Sequence, residues 1–447
     1  MEAIKGQFRL VFILLSRNFL VIWTLTMWML PLTMEAHPMP NSLVRLNVLS
    51  TQVKAEIQIP LSELLAAWGM DTELDPHLFL RKHQQKLDQY FLQHIRPVSM
   101  RKVPWKVVVK NLSINTTENP INGKYLELEA LVQLIPPSRE DLRHFVLHYD
   151  AVVHQVITHL IVVSVHQDWA AGKIEGEANQ LGTIQLDIPS GRIPPLEVNL
   201  SRGSSWTGFV NMLKLGMDHI AEGTDHLLFL LALLLPAPLL SAGKKWGNYG
   251  GLRYSLVRLL KIVTAFTLGH SLTLLIGGLK WLQVPSQPIE LLIAVSILIA
   301  AIHAFRPVFA GKEIWIAAGF GLIHGLAFAD TLIKLELDVP QLLISLMGFN
   351  LGIELMQLFI IALTIPGLLL LSRTSLYPPF RGGAAICVAI AALAWMVERI
   401  GGQPNLIGKG IEWLRTFAPL ILVIITTMAI ASYWVQHKYI PHQHQNR

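Results

Sequence analysis

Two histidines and three carboxylates fall within nine residues: Asp218, His219, Glu222, Asp225 and His226, heading the apolar run Leu227-Leu228-Phe229-Leu230-Leu231. On a helix turning about 100° per residue they share an arc of about 120°. His219, Glu222 and His226 lie at relative angles of about 0°, 300° and 340°, so two imidazoles and a carboxylate can aim at one centre. Asp225 and Asp218, at about 240° and 260°, suit either direct ligation or orientation of the rings. Imidazole with carboxylate is a donor set for nickel, cobalt, zinc or iron, and geometry selects among them. In hydrocarbon such groups cost several kcal/mol unless bound or paired, so this helix is expected to face a polar site inside a bundle.

Other apolar segments carry matching residues. His270 and His324 each lie about nine residues from the outer end of their span, and Asn350 about nine residues from the start of its own, with Glu354 one turn deeper. At 1.5 Å per residue, all sit about 13 Å below one surface, the depth expected of 218–226. Glu290 and Ser296 extend the layer outward, and Ser271 adjoins His270. A single intramembrane histidine is commonly a bundle residue bonded to a neighbouring helix, and His303 is expected to be one. Four histidines with carboxylates at one depth exceed that explanation.

A membrane bundle must position these groups. Hydrophobic residues make up 52% and charged residues 15% of the 447, and several apolar runs reach the roughly 18 residues that cross about 30 Å of hydrocarbon. Seven spans are expected, at about 207–236, 255–278, 289–305, 313–333, 341–371, 383–398 and 415–434. With the first entering from outside, inner loops and span ends carry eleven Lys/Arg and outer ones six, which places the C-terminus in the cytoplasm. Residues 206–447 hold 17 Lys/Arg against 11 Asp/Glu, whereas 37–205 hold 16 against 17. The basic balance therefore reflects cytoplasmic loops, and nucleic acid is not an expected partner. The single cysteine, Cys387, excludes a thiolate metal cluster.

Lys5, Arg9 and Arg17 precede the apolar stretch Phe19–Leu32, so residues 1–36 read as a signal peptide or signal anchor. Cleavage after Ala36 would leave His37 first, its amine and imidazole together forming a compact chelate for copper or nickel. Residues 37–205 alternate in short runs (Leu43–Leu49, Val53–Ile59, Trp105–Val109, Tyr125–Leu134, Ile157–Val165, Thr183–Ile188), the pattern of an exported β-sandwich-like domain. One helical insertion is expected over Asp75–His94, packed on the sheet. Residues 437–447, with His437, His442 and His444, read as a solvated cytoplasmic tail.

Taken jointly, Gly223-x-Asp225-His226-Leu-Leu-Phe with His219 upstream, Phe266-Thr-x-x-His270-Ser-x-Thr, Glu290-x-x-Ile-Ala-x-Ser296, Phe320-Gly-Leu-Ile-His324-Gly and Phe349-Asn350-x-Gly-x-Glu354 resemble the HupE/UreJ family of bacterial membrane proteins. The closer resemblance is to its larger branch, with an exported N-terminal domain. The resemblance implies an inner-membrane protein associated with nickel supply to hydrogenase or urease, acting as a permease. At one point the chain departs from it: short members carry His-Pro where this chain has His219-Ile220, so no proline kink is expected there.

The expected function is a divalent-metal permease for nickel, or else cobalt or zinc. The ion would enter past Glu290 and be held by His219, His226, His270 and His324 with Glu222, Asp225 or Glu354. No nucleotide-binding loop is visible, so the membrane potential, a proton gradient or the ion gradient would drive it. Metalloenzyme-maturation proteins or a second copy are candidate partners besides the bilayer. The alternative is an intramembrane zinc hydrolase, with Ser271 or Ser296 positioning the substrate carbonyl.

Overall fold

The computed structural model describes residues 41–70, 75–119, 123–138, 140–174 and 178–439. The expected signal segment, His37 and the tail residues His442 and His444 lie outside them.

The β-rich part comprises β1 (Ser42–Val48), β2 (Val53–Pro60), α1 (Leu61–Trp68), α2 (Pro76–His94), β3 (Ile95–Ser99), β4 (Lys106–Asn119), β5 (Gly123–Ile135), β6 (His144–Tyr149), β7 (Ile161–Asp168), β8 (Asn179–Ile184) and β9 (Leu196–Asn199). Period-two burial drives it: Val53, Ala55, Ile57 and Ile59 of β2 are buried, while Lys54, Glu56 and Gln58 between them are not. One six-stranded sheet runs β4-β5-β2-β1-β7-β8, mixed because β1 and β7 are parallel, and a second runs β3-β6-β9. Both share one core with Leu64 of α1 and Phe79, Leu87 and Phe91 of α2, so the expected helical insertion does pack on the sheet. Within it Ser42 Oγ meets His159 Nε2 at 2.7 Å, and His159 Nδ1 meets Glu63 Oε2 at 3.1 Å. Buried on all sides, the three are a strut joining β1, α1 and the approach to β7.

The membrane part follows as α3 (Ser205–Glu222), α4 (Thr224–Leu234), the hairpin β10 (Leu239–Ala242) and β11 (Lys245–Tyr249), α5 (Leu252–Gly278), α6 (Ser286–Phe305), α7 (Glu313–Lys334), α8 (Val339–Leu371), α9 (Tyr377–Gly401), α10 (Leu406–Arg415) and α11 (Ala418–Tyr439). By length and composition, six described helices can cross a membrane: α5 to α9 and α11. The chain is a multi-pass membrane protein. The expected first span differs. It is two helices divided at Gly223, whose ψ of 97° turns the chain out of the helical path. Thr224 and Asp225 then begin α4, with the acid in the first turn where the helix dipole favours it. The break lies three residues beyond Ile220, the position where a proline kink is missing. The short α10 leaves Leu406, Ile407, Trp413 and Leu414 exposed, as suits a helix lying along a membrane surface.

The β-rich part is seated on one end of the bundle. The Trp169 indole after β7 donates to Ser345 Oγ of α8 at 2.8 Å, Gln167 donates to the Leu335 carbonyl at 3.0 Å, and Lys54 pairs with Glu336. Gly208 of α3 lies beneath the Trp169 ring, which a Cβ would strike at 2.5 Å.

Candidate metal centre

Backbone contact sets the frame of the centre. The pair α5 and α7 run parallel, and the absence of a side chain at Gly321 lets α7 rest on the Phe266 carbonyl and the His270 amide of α5. The other pair, α3 and α8, meets similarly. Gly269, Gly325 and Gly352 adjoin facing backbone in the same way. At Gly223 a Cβ would stand 2.6 Å from the His219 carbonyl and 2.7 Å from His226 Nδ1, so the chain break must be glycine for the rings to close around it.

From this frame four histidines converge. Ring centroids are 4.6 Å apart for His219 and His226, 6.2 Å for His219 and His270, and 5.3 Å for His226 and His324. Donor atoms of His219, His226 and His270 lie within 4.8 Å of one another, as do those of Asp225, His226 and His324. Two nitrogens on opposite sides of one ion stand about 4.2 Å apart, so small rotamer changes bring either set onto a common ion. Phe328 and Phe349 flank His219, while Phe229 and Phe266 flank His324, wedging the rings in place.

Hydrogen bonds aim two of the rings. His324 Nδ1 lies 2.9 Å from the Phe320 carbonyl, which can only accept, so Nδ1 carries the proton and the neutral ring keeps its lone pair on Nε2. His226 Nδ1 lies 3.0 Å from the Asp225 carboxylate, with the same consequence. Both are the carboxylate–imidazole or carbonyl–imidazole arrangements that orient metal ligands. Nε2 of His219, His226, His270 and His324, Nδ1 of His270 and Oδ1 of Asn350 are buried with no hydrogen-bond partner. They are six of the thirteen such atoms among the described residues, gathered at one place. Each orphaned group costs about 1–3 kcal/mol. A divalent cation satisfies the imidazole lone pairs together, so the residues fit the group.

The remaining expected residues lie around this centre. Asn350 donates to the Leu346 carbonyl at 2.8 Å, beside His270. Asp218 is half-buried on α3 and bonds none of the four rings. Glu222 is exposed; at the C-terminus of α3, its backbone carbonyl takes a hydrogen bond from Arg415. The break at Gly223 separates it from Asp225 and His226, which turn inward on α4. Glu354 accepts from Thr264 at 3.1 Å, on the part of α5 more than a turn below His270, so it is not brought to the rings. Ser271 and Ser296 donate to the Thr267 and Ile293 carbonyls of their own helices. Glu290 pairs with Arg399 at 2.8 Å. His303, as expected, is structural: its Nδ1 accepts from the Val308 and Phe309 amides, and its ring stacks on Phe309.

A cavity of about 250 Å³ ends at Asp225 and is walled by Glu222, Glu290, Arg399 and Glu412. It opens towards the end of the bundle that carries the β-rich part, where α6 begins and α9 ends, tied by Gln287 donating to the Arg399 carbonyl. On the other side of the rings Phe229, Phe266 and Phe320 pack with centroids 5.2 and 5.7 Å apart. Sequence reasoning did not single out Trp395, Arg399, Glu412 or Arg415; loop charges carry no periodicity that marks them.

Residues 197–399 match the family model described as HupE / UreJ protein. The chain carries a HupE/UreJ domain. No curated protein and no solved structure matches the chain. The HupE/UreJ match covers every residue of the four-histidine cluster, whereas most of the β-rich part, α10 and α11 fall outside it.

Proposed function

We propose that this HupE/UreJ protein is a divalent-metal permease of the nickel or cobalt type, with the ion as cargo held by His219, His226, His270 and His324 beside Asp225. The convergence of unpartnered ring nitrogens from four helices carries this reading, because hydrogen bonding within the protein leaves them unsatisfied and a cation does not. Asp225 adds the charge compensation that neutral imidazoles lack. The acidic cavity supplies an approach on one side, and the Phe229, Phe266 and Phe320 layer closes the other. Transport then requires those phenylalanines to part while the cavity closes. An inward potential contributes about 2.3 kcal/mol per charge for each 100 mV.

In this reading residues 1–36 direct export, the β-rich domain and the cavity face outward in a bacterial inner membrane, and the C-terminus is cytoplasmic. Nickel is the expected cargo. The hydrolase alternative loses support, because Ser271 and Ser296 spend their hydroxyl protons on their own helices. Uptake of Ni²⁺ into sealed vesicles bearing the purified protein tests the proposal. Uptake that is abolished in His226→Ala and His324→Ala supports it; equal accumulation in wild type, variants and empty vesicles contradicts it.

A further inference from the structure

His270 is the ring of the four with both nitrogens buried and without a hydrogen-bond partner. Nδ1 of His226 is held by Asp225 and Nδ1 of His324 by the Phe320 carbonyl, so each of those rings has one nitrogen fixed and the other free for an ion. Of the six unpartnered atoms at the centre, an ion that draws one nitrogen from each ring leaves two: the second nitrogen of His270 and Oδ1 of Asn350. A neutral imidazole that offers a lone pair from one nitrogen carries its proton on the other, so the first of these is a donor. The second is an acceptor, and the two complement each other.

Position agrees with chemistry. The Asn350 amide nitrogen donates to the Leu346 carbonyl one turn back on α8, at 2.8 Å. A carbonyl can only accept, so this bond settles which end of the amide is which and leaves Oδ1 as the free atom. That oxygen is buried against His270, whose ring also lies over Phe349, with centroids 6.2 Å apart. His270 is wholly buried.

We propose that Asn350 is the positioning residue of His270: its Oδ1 accepts the proton of the ring nitrogen turned away from the ion, fixing the tautomer and aiming the other nitrogen at the cation. Asn350 thereby does for His270 what Asp225 does for His226 and the Phe320 carbonyl for His324, without adding charge. With the ion and this bond in place, none of the six atoms is left unsatisfied. The inference rests on the reading of the four rings as a cation site given above.

Equilibrium titration of Co²⁺ into the full-length protein in detergent, read by the visible absorption of bound cobalt, tests it. Asn350→Leu removes the acceptor and is expected to weaken binding about 10–100-fold, as loss of an outer support of a ligand does. Asn350→Asp keeps an oxygen acceptor but loses the donor to Leu346, and is expected to bind at least as tightly as wild type. A side chain that only braces α8 through Leu346 fails equally in both variants, and that result, or unchanged affinity in Asn350→Leu, overturns the proposal. In a His270→Ala background Asn350→Leu should change affinity by less than about twofold, because the ring it acts through is gone; an undiminished further loss also overturns it. Wild type that binds no cobalt, or binds it equally in His226→Ala, overturns the metal centre itself, which separates the two failures.

Discussion

Replacing Gly321 by alanine tests whether close approach of α5 and α7 sets the geometry of the histidines. A Cβ there would overlap the Phe266 carbonyl oxygen and stand 2.9 Å from its carbon and 3.0 Å from the His270 nitrogen, where ordinary contact begins at 3.4 Å. All three are backbone atoms, so relief comes only by moving the helices apart, by roughly 1 Å. His270 rides on one helix and His324 on the other, and metal sites tolerate about ±0.2 Å in ligand distance. The expected loss is about 10–100-fold in Ni²⁺ affinity, comparable to removing an outer support of a ligand. A packing cost of about 1–3 kcal/mol accompanies it. Gly319, two residues away on the same helix, has nothing within 4 Å of a built Cβ. Gly319→Ala should therefore bind normally and gain up to about 1 kcal/mol from helix propensity. Equilibrium dialysis and thermal unfolding of both variants decide the matter: Gly321→Ala behaving like Gly319→Ala would refute the reasoning.

Asp225→Asn should weaken Ni²⁺ binding about 10–100-fold, because the carboxylate that sets the His226 tautomer is lost, and titration calorimetry would detect this. Trp169→Phe removes the buried bond to Ser345, worth about 0.5–1.5 kcal/mol, and should speed proteolysis between the β-rich part and α3. Burial tends to raise the Asp150 carboxyl, but the hydrogen bond from His94 and the charges of His94, Arg96 and His154 outweigh it and hold it below the ordinary value. Its stabilisation is therefore complete above the unfolded value of about 4 and lost as pH falls through the folded one. Acid unfolding followed by circular dichroism should show a shallower loss below about pH 4 in Asp150→Asn than in wild type.

The four histidines were legible because imidazoles stand out in apolar runs and a fixed rise per residue converts counting into depth. That is why counting along the chain places His270, His324 and Asn350 at the depth of His219 and His226. Angles failed where depth succeeded. The helical-wheel position of Glu222 assumed an unbroken helix, and the turn at Gly223 left it on the cavity wall, although Gly-Thr-Asp is itself a restart signal. Glu354 was one turn too deep, and its neighbour Thr264 comes from a helix with no spacing relation to it. In the β-rich part, alternation located β1, β2 and β5, and helical spacing located α2, yet Phe79 takes the core position there while Leu78 is exposed. Contacts between distant segments left no trace in sequence. Trp169 lies outside every alternating run, and Arg399 counts only as one of the six outer charges.

The central claim is that imidazoles from separate helices meet around one cation, and X-ray absorption of the Ni²⁺-loaded protein reads this most directly. Three or more imidazole ligands should appear in the multiple-scattering pattern of wild type, with the count falling in His226→Ala. A shell of water and carboxylate oxygens, unchanged in that variant, would contradict the claim.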